Sequence, residues 1–319
     1  MDPTRDWEYS VLEPARQRRR DWQRARARRR AIRRLAVVLG VCLVGAGAYA
    51  VASLSSSHAS QHRRAAGRAR GRRTGGAGVV PAPALRPKLL EEREGRAINR
   101  VLAYTPFVRA GGRRRREVAL TFDDGPGPYT PAVIRVLRRM HAPATFFEIG
   151  FMEHWFHAST RRQLRDGFPI GDHTQTHPKM AFLSPPAQRA EILDQAAAIR
   201  REGAPRPRLF RPPYGSFNRA TLRTLRRLRM LMVLWTVDTS DYARIGPKAI
   251  VQRALGGARP GAIILLHDAG GDRSQTVTAL PYIIRKLRRR HYRLVTVPRL
   301  LLDDPPPRGE KLSSGLGGD

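Results

Sequence analysis

The chain has 319 residues, 41% of them hydrophobic, enough to bury a sizeable core and to exclude disorder along the whole length. Sixty lysines and arginines against 26 aspartates and glutamates give a formal net charge of +34, a surplus that points to an anionic partner: nucleic acid, a membrane face or an acidic polymer. A single cysteine, Cys42, excludes a disulfide framework and any cysteine-based zinc site.

Residues 1–34 carry twelve arginines against five acids and read as a basic cytoplasmic segment. Residues 35–54 (LAVVLGVCLVGAGAYAVASL) hold no charge. Twenty residues at about 1.5 Å each span about 30 Å, the thickness of a bilayer's hydrocarbon core, so this segment is expected to be a transmembrane helix. Six arginines follow between residues 63 and 73, fewer than the twelve before. The positive-inside rule then sets the N-terminus in the cytoplasm and the rest of the chain outside, on a single-pass anchor in the cell membrane. The runner-up is a signal peptide cleaved at Ala48-Tyr49-Ala50, which would leave a secreted protein; the long basic leader argues against it. A basic stretch beside a membrane helix is accounted for by anionic lipid, and an exported chain rarely meets DNA, so no nucleic-acid partner is expected. The remaining positive charge fits either retention at an anionic envelope or a compositional bias toward arginine.

Residues 55–115 read as a flexible stalk, rich in Ser, Ala, Gly, Arg and Pro at first, with room for a short amphipathic helix over 85–102. From residue 116 the pattern changes. Short apolar runs at 118–122, 144–149, 209–210, 231–237, 262–266 and 294–297 alternate with helical patterns at 131–140, 188–201, 219–228, 248–255 and 275–289. Pro131 suits a first helical turn, with Thr130 before it as the expected N-cap. Strand–helix alternation with nearly continuous apolar strands predicts an α/β domain over 116–301, a mostly parallel sheet covered by helices. In such folds chemistry sits at the C-terminal ends of the strands. Residues 302–319 read as a disordered tail.

Polar residues cluster just after those strands. The first strand runs into Asp123-Asp124-Gly125-Pro126, which alone reads as a turn. His173 and His177 stand four apart, close enough to share a metal if the stretch turns helically, and two surface histidines otherwise. Asp172 before them is a candidate partner for an imidazole N–H. Arg211-Pro212-Pro213-Tyr214-Gly215 is a rigid turn that can aim an arginine and a backbone N–H, or an ordinary loop. Asp238-Thr239-Ser240-Asp241-Tyr242 and Leu265-Leu266-His267 close two further strands; alone, His267 reads as a core histidine.

Taken together and in order, TFDDGP (121–126), ATFFEIG (144–150), HTQTH (173–177), RPPYG (211–215), DTSDY (238–242) and LLH (265–267) resemble the NodB-homology polysaccharide deacetylases, carbohydrate esterase family 4. The resemblance covers 116–301 and implies a distorted (β/α) barrel. It implies that Asp124, His173 and His177 hold a divalent metal, with Zn²⁺ expected first and Co²⁺, Ni²⁺ or Mn²⁺ also suited to a mixed nitrogen and oxygen site. Asp123 is then the general base and Arg211 the cation that orients it. His267 is the general acid that protonates the departing amine. Asp241 orients His267, and Asp238 is the other acid of that motif. Pro213 and Tyr214 shape the substrate turn, where the Tyr214 N–H faces the oxyanion. Leu265 walls the pocket for the acetyl methyl, and Tyr242 stands where the family usually has Trp. Glu148 stands where an apolar residue is common, and a buried glutamate needs a partner.

Two histidines and a carboxylate also define non-haem Fe(II) oxygenases, but those leave Asp123, Arg211 and His267 without roles. A non-catalytic glycan-binding module would have lost a ligand or Asp123, and none is lost. The resulting expectation is a membrane-anchored, outward-facing, monomeric deacetylase of an acetylated polysaccharide, with peptidoglycan N-acetylglucosamine first, then chitooligosaccharides, and O-acetylated xylan as the esterase alternative.

Overall fold

The computed structural model describes residues 82–309, with side chains from residue 89 onward. The basic segment 1–34, the apolar segment 35–54 with its Ala48-Tyr49-Ala50 site, the first part of the stalk and residues 310–319 lie outside them. Among the described residues no helix is long and apolar enough to cross a membrane.

The strands are β1 (Phe107–Val108), β2 (Glu117–Asp123), β3 (Thr145–Glu148), β4 (Ile170–Asp172), β5 (Leu209–Phe210), β6 (Leu231–Val233), β7 (Val237–Asp238), β8 (Ala262–His267) and β9 (Arg293–Val295). The helices are α1 (Ala82–Leu102), α2 (Thr130–Arg139), α3 (Gly150–Arg165), α4 (Pro185–Arg201), α5 (Arg219–Leu228), α6 (Pro247–Gly256), α7 (Ser274–Arg289) and α8 (Val297–Asp303). Strand order is β1-β6-β5-β4-β3-β2-β8-β7, with β9 beside the first half of β2, and the strand pairs are parallel. An antiparallel bridge from Ala110 to Ala262 brings the β1 end against β8, so the sheet curls into a distorted half-barrel.

Side-chain alternation decides what faces inward. Val118, Leu120 and Phe122 of β2 pack with Ile264 and Leu266 of β8 against α2, α6 and α7. The intervening Ala119 and Ile263 join an inner cluster with Phe147, Val295 and residues of α1 and α8. The same period points Thr121 and Asp123, and Leu265 and His267, into the barrel mouth. Asp123 and His267 are register partners, so the two side chains stand side by side at one level.

Several expectations need correction. The fold reaches upstream of residue 116: Ile98 and Val101, three apart on α1, are buried in the inner cluster, and β1 pairs with β6. Composition hid this, because a few well-spaced apolar residues suffice to dock a helix. At the other end α8 and Asp304 are packed, not tail: the buried Asp304 carboxylate accepts the backbone N–H groups of Arg114 (2.7 Å) and Arg115 (3.0 Å). The run 231–237 is two strands, because Arg211 takes the carbonyls of Val233 and Leu234, which a continuing strand would have used. Thr130 is not a cap: Tyr129 precedes α2 without a side-chain cap bond, and the Thr130 hydroxyl accepts the Gly127 N–H and donates to Asp268. Helix α5 falls over the expected residues, since Asn218 accepts N–H bonds from Ala220 and Thr221 in a capping box. Helix α3 escaped the sequence reading because its buried face is polar (Glu153, Ser159, Thr160, Gln163), leaving no apolar stripe to find.

Candidate active site

Asp123 ends β2 on the inner face, and Asp124, next along the chain, must point elsewhere. It does so through a left-handed backbone, φ 72°, which costs a non-glycine residue about 1–2 kcal/mol. The adjacent carboxylates thereby diverge. Oδ1 of Asp123 accepts a 2.7 Å bond from Nη1 of Arg211. Oδ1 of Asp124 lies 3.1 Å from Nε2 of His177 and 3.5 Å from Nε2 of His173. Burial raises the Asp124 pKa, but the two imidazoles outweigh it and hold the carboxyl well below the usual carboxylate range.

The histidines do not meet on a helix. They follow β4 in a loop bent by left-handed residues at Thr174 (φ 69°) and His177 (φ 57°), which bring the rings to 4.9 Å. Nδ1 of His173 lies 2.7 Å from the carbonyl of Arg211, which only accepts, so Nδ1 carries the proton and Nε2 offers its lone pair. Nδ1 of His177 lies 3.2 Å from the Tyr214 hydroxyl. Asp172 is not the imidazole partner, because alternation turns it to the other face, where it accepts the Thr174 N–H at 2.8 Å.

Arg211 is fully buried with its guanidinium placed by four acceptors: Val233 O (3.0 Å), Leu234 O (3.3 Å), Thr121 Oγ1 (2.8 Å) and Asp123 Oδ1 (2.7 Å). The Arg211 Cζ lies over the Phe147 ring, 4.2 Å from the ring centroid. Gly171 leaves room for Phe147: a Cβ there would lie 2.6 Å from two ring carbons.

On the β8 side, Nδ1 of His267 lies 2.7 Å from Oδ1 of Asp241, whose Oδ2 accepts the His267 backbone N–H and the Thr276 hydroxyl, both at 2.8 Å. Burial pushes the imidazole pKa down, yet Asp241, then Asp124 and Asp123, raise it to about 9. Asp238 shares no hydrogen bond or ion pair with His267. It accepts the Ser240 N–H at 2.7 Å and the Tyr242 hydroxyl at 3.3 Å, so it holds the turn that presents Asp241. Leu265 is buried on the inner face opposite Thr121. Pro213 is buried in the turn that leaves Tyr214 exposed against His177, ring centroids 4.7 Å apart. Tyr242 stands exposed against His267 at 5.4 Å, so a tyrosine borders the site on each side.

Glu148 belongs to no part of this site. It is buried behind β3, where Thr160 donates to it at 3.0 Å and burial, then the negative charge of Asp268, raises its pKa to about 8. Asp268, buried directly after His267, carries no motif signal that would single it out in the sequence. A groove of about 1090 Å³ between α2 and α3, lined by Arg135, Arg138, Arg139, Arg162 and Arg165, includes none of the site residues.

The ligand atoms of Asp124, His173 and His177 lie within 4.8 Å of one another, a donor set of two imidazole nitrogens and one carboxylate oxygen that fits a divalent ion. A parallel α/β half-barrel with such a triad at its C-terminal mouth, flanked by a carboxylate and a histidine, defines a metal-assisted hydrolase. The polysaccharide deacetylase family profile matches residues 110–233. A peptidoglycan-N-acetylglucosamine deacetylase of Bacillus cereus is 41% identical over 187 residues, covering 58% of this chain and 87% of that protein. A chitooligosaccharide deacetylase of Bradyrhizobium is 40% identical, covering 58% of this chain and 90% of that protein. The crystal structure of a peptidoglycan N-acetylglucosamine deacetylase in complex with an N-oxidanyl-benzamide superposes with a TM-score of 0.61 at 32% identity, covering 64% of this chain and 96% of that one. The chain belongs to the polysaccharide deacetylase family, carbohydrate esterase family 4.

Proposed function

We propose that this protein removes N-acetyl groups from a cell-envelope polysaccharide, with peptidoglycan N-acetylglucosamine as the substrate and a divalent ion, Zn²⁺ first among candidates, at Asp124, His173 and His177. The reading rests on one arrangement: Asp123 with Arg211 and His267 with Asp241 stand at one level on neighbouring strands, beside the triad. The apolar segment 35–54, read as an anchor facing the domain outward, supports an envelope substrate. Similarity to the Bradyrhizobium protein keeps chitooligosaccharides as the second substrate.

The ion supplies Lewis acidity, polarising the acetyl carbonyl and acidifying water. The chain's residues do the rest. Asp123 takes the proton of the attacking water, and Arg211 holds that carboxylate with its oxygen directed into the mouth. The Tyr214 N–H lies in the turn assigned to the developing oxyanion. As the C–N bond breaks, the imidazolium of His267 gives its proton to the leaving nitrogen, so that water and amide become acetate and a free amine. Asp241 keeps His267 charged for that step. Leu265 closes the wall for the methyl group, and Tyr214 and Tyr242 offer faces to the flanking sugars.

Purified residues 80–319 offered peptidoglycan, chitooligosaccharide and acetylated xylan, with and without chelator, test this. Free amine and acetate from peptidoglycan, abolished by chelator and restored by zinc, are expected. Acetate from xylan alone would replace the reading with an O-acetyl esterase.

A further inference from the structure

The strained φ at Asp124 persists only if its surroundings over-determine the turn. The groups that do this lie outside the recognised motifs. The Thr130 hydroxyl, at the start of α2, accepts the Gly127 N–H at 2.7 Å and donates to Oδ2 of Asp268 at 2.5 Å. Asp268 is fully buried, and its backbone N–H reaches the Asp123 carbonyl at 3.2 Å, which ties it to the base's own peptide. Its carboxylate lies under Gly125 so closely that a Cβ there would stand 2.7 Å from both oxygens. From the other side Gly270, two residues on, approaches the Asp124 carboxylate so closely that a Cβ would lie 2.5 Å from Oδ2. The turn 123–127 is thus held by the Thr130–Asp268 pair from below and by the Gly270 loop from the side.

We propose that Thr130 and Asp268 are positioning residues: together they fix the turn that splits Asp123 from Asp124, and so set both the metal affinity of the triad and the aim of the base. The inference rests on the metal-dependent reading above, but zinc affinity reads it without reference to any sugar. The roles differ from those of the ligands, because neither side chain needs to touch metal or substrate. What the turn requires is a hydroxyl that accepts one bond and donates another, and a side-chain oxygen beneath Gly125 to receive it.

The full chain is purified as wild type, Thr130→Val, Thr130→Ser and Asp268→Ala. Zinc affinity is measured by competition with a chromophoric chelator, and kcat and KM on chitopentaose at saturating zinc. Thr130→Val keeps the side-chain volume and deletes both bonds; it is expected to weaken zinc binding by about 10–100-fold, as lost supporting bonds around a metal centre do. It should also lower kcat at saturating zinc while KM stays within about twofold. Thr130→Ser restores the hydroxyl and is expected to recover both values. Asp268→Ala follows Thr130→Val; if it fails to fold, Thr130→Val against Thr130→Ser decides. Zinc affinity and kcat unchanged in folded Thr130→Val would overturn the proposal. A wild type that binds zinc yet releases no acetate from any glycan would sink the deacetylase reading and leave the zinc comparison intact.

Discussion

Asp123 and His267 are neighbours across two strands, and each is hydrogen-bonded by one charged partner, Arg211 and Asp241 respectively. Arg211 on Asp123 is the more exacting pair, because the guanidinium is wholly buried and all its bonds are internal. Asp123→Asn keeps the shape and gives up the proton acceptor. It is expected to retain zinc while kcat falls by about 10²–10⁴-fold, the usual worth of a positioned base; metal analysis beside single-turnover rates checks both halves. His177→Ala removes a ligand atom and should emerge from gel filtration without zinc. For His267 the sign follows from its raised pKa. Free histidine titrates near 6.5, and in the fold the value is about 9. The proton is therefore held more tightly when folded, so this group's contribution to stability is complete below about 6.5 and is lost as pH rises through about 9. With His267 as the proposed acid, the alkaline limb of kcat/KM is expected to follow the same proton. A bound cation beside Asp124 moves the limb below 9, and Asp241→Asn moves it lower still. A pH–rate profile in which Asp241→Asn leaves the limb in place would take the acid's role from His267.

At the scale of elements, the domain's true edges lie in segments that composition assigned to stalk and tail. Helix α1 contributes Ile98 and Val101 to the inner cluster together with Val297, Leu300 and Leu301 of α8. Uncovering such side chains costs about 1.5–3 kcal/mol each, a large part of a domain's net stability of about 5–15 kcal/mol. A chain trimmed to begin at residue 116 is therefore expected to be insoluble or to melt well below one beginning at residue 80. Equal melting temperatures by calorimetry would return α1 to the stalk. The loops after β4 and β5 show why the site could be recognised but not drawn from sequence. The spacing of His173 and His177 invites a helix, yet positive φ at Thr174 and His177 is what turns the two rings together.

For the whole molecule, the candidate metal ligands come from two loops far apart in the chain, Asp124 from one and His173 and His177 from the other. Zinc that binds only the folded state must stabilise it. At free zinc about 100-fold above Kd the gain is about 2.7 kcal/mol. Thermal unfolding of residues 80–319 should accordingly shift to lower temperature on chelation and recover with zinc, and His177→Ala should lose that response.

The sequence alone determined the class of the fold, because alternating apolar strands and helices admit few architectures, and the joint order of its strand-end motifs pointed to candidate site residues that singly read as turns, loops or core. It could not place Asp172 and His173 on opposite faces, give Asp238 its place in the turn, or find α3, β1 and β4. Those depend on register and on backbone conformations that no local preference dictates. Only the curled sheet brings Asp123, Arg211 and His267 to one mouth. The energy that holds Asp124 in its strained turn comes from buried groups such as Thr130 and Asp268, which are distant in the chain and adjacent in space.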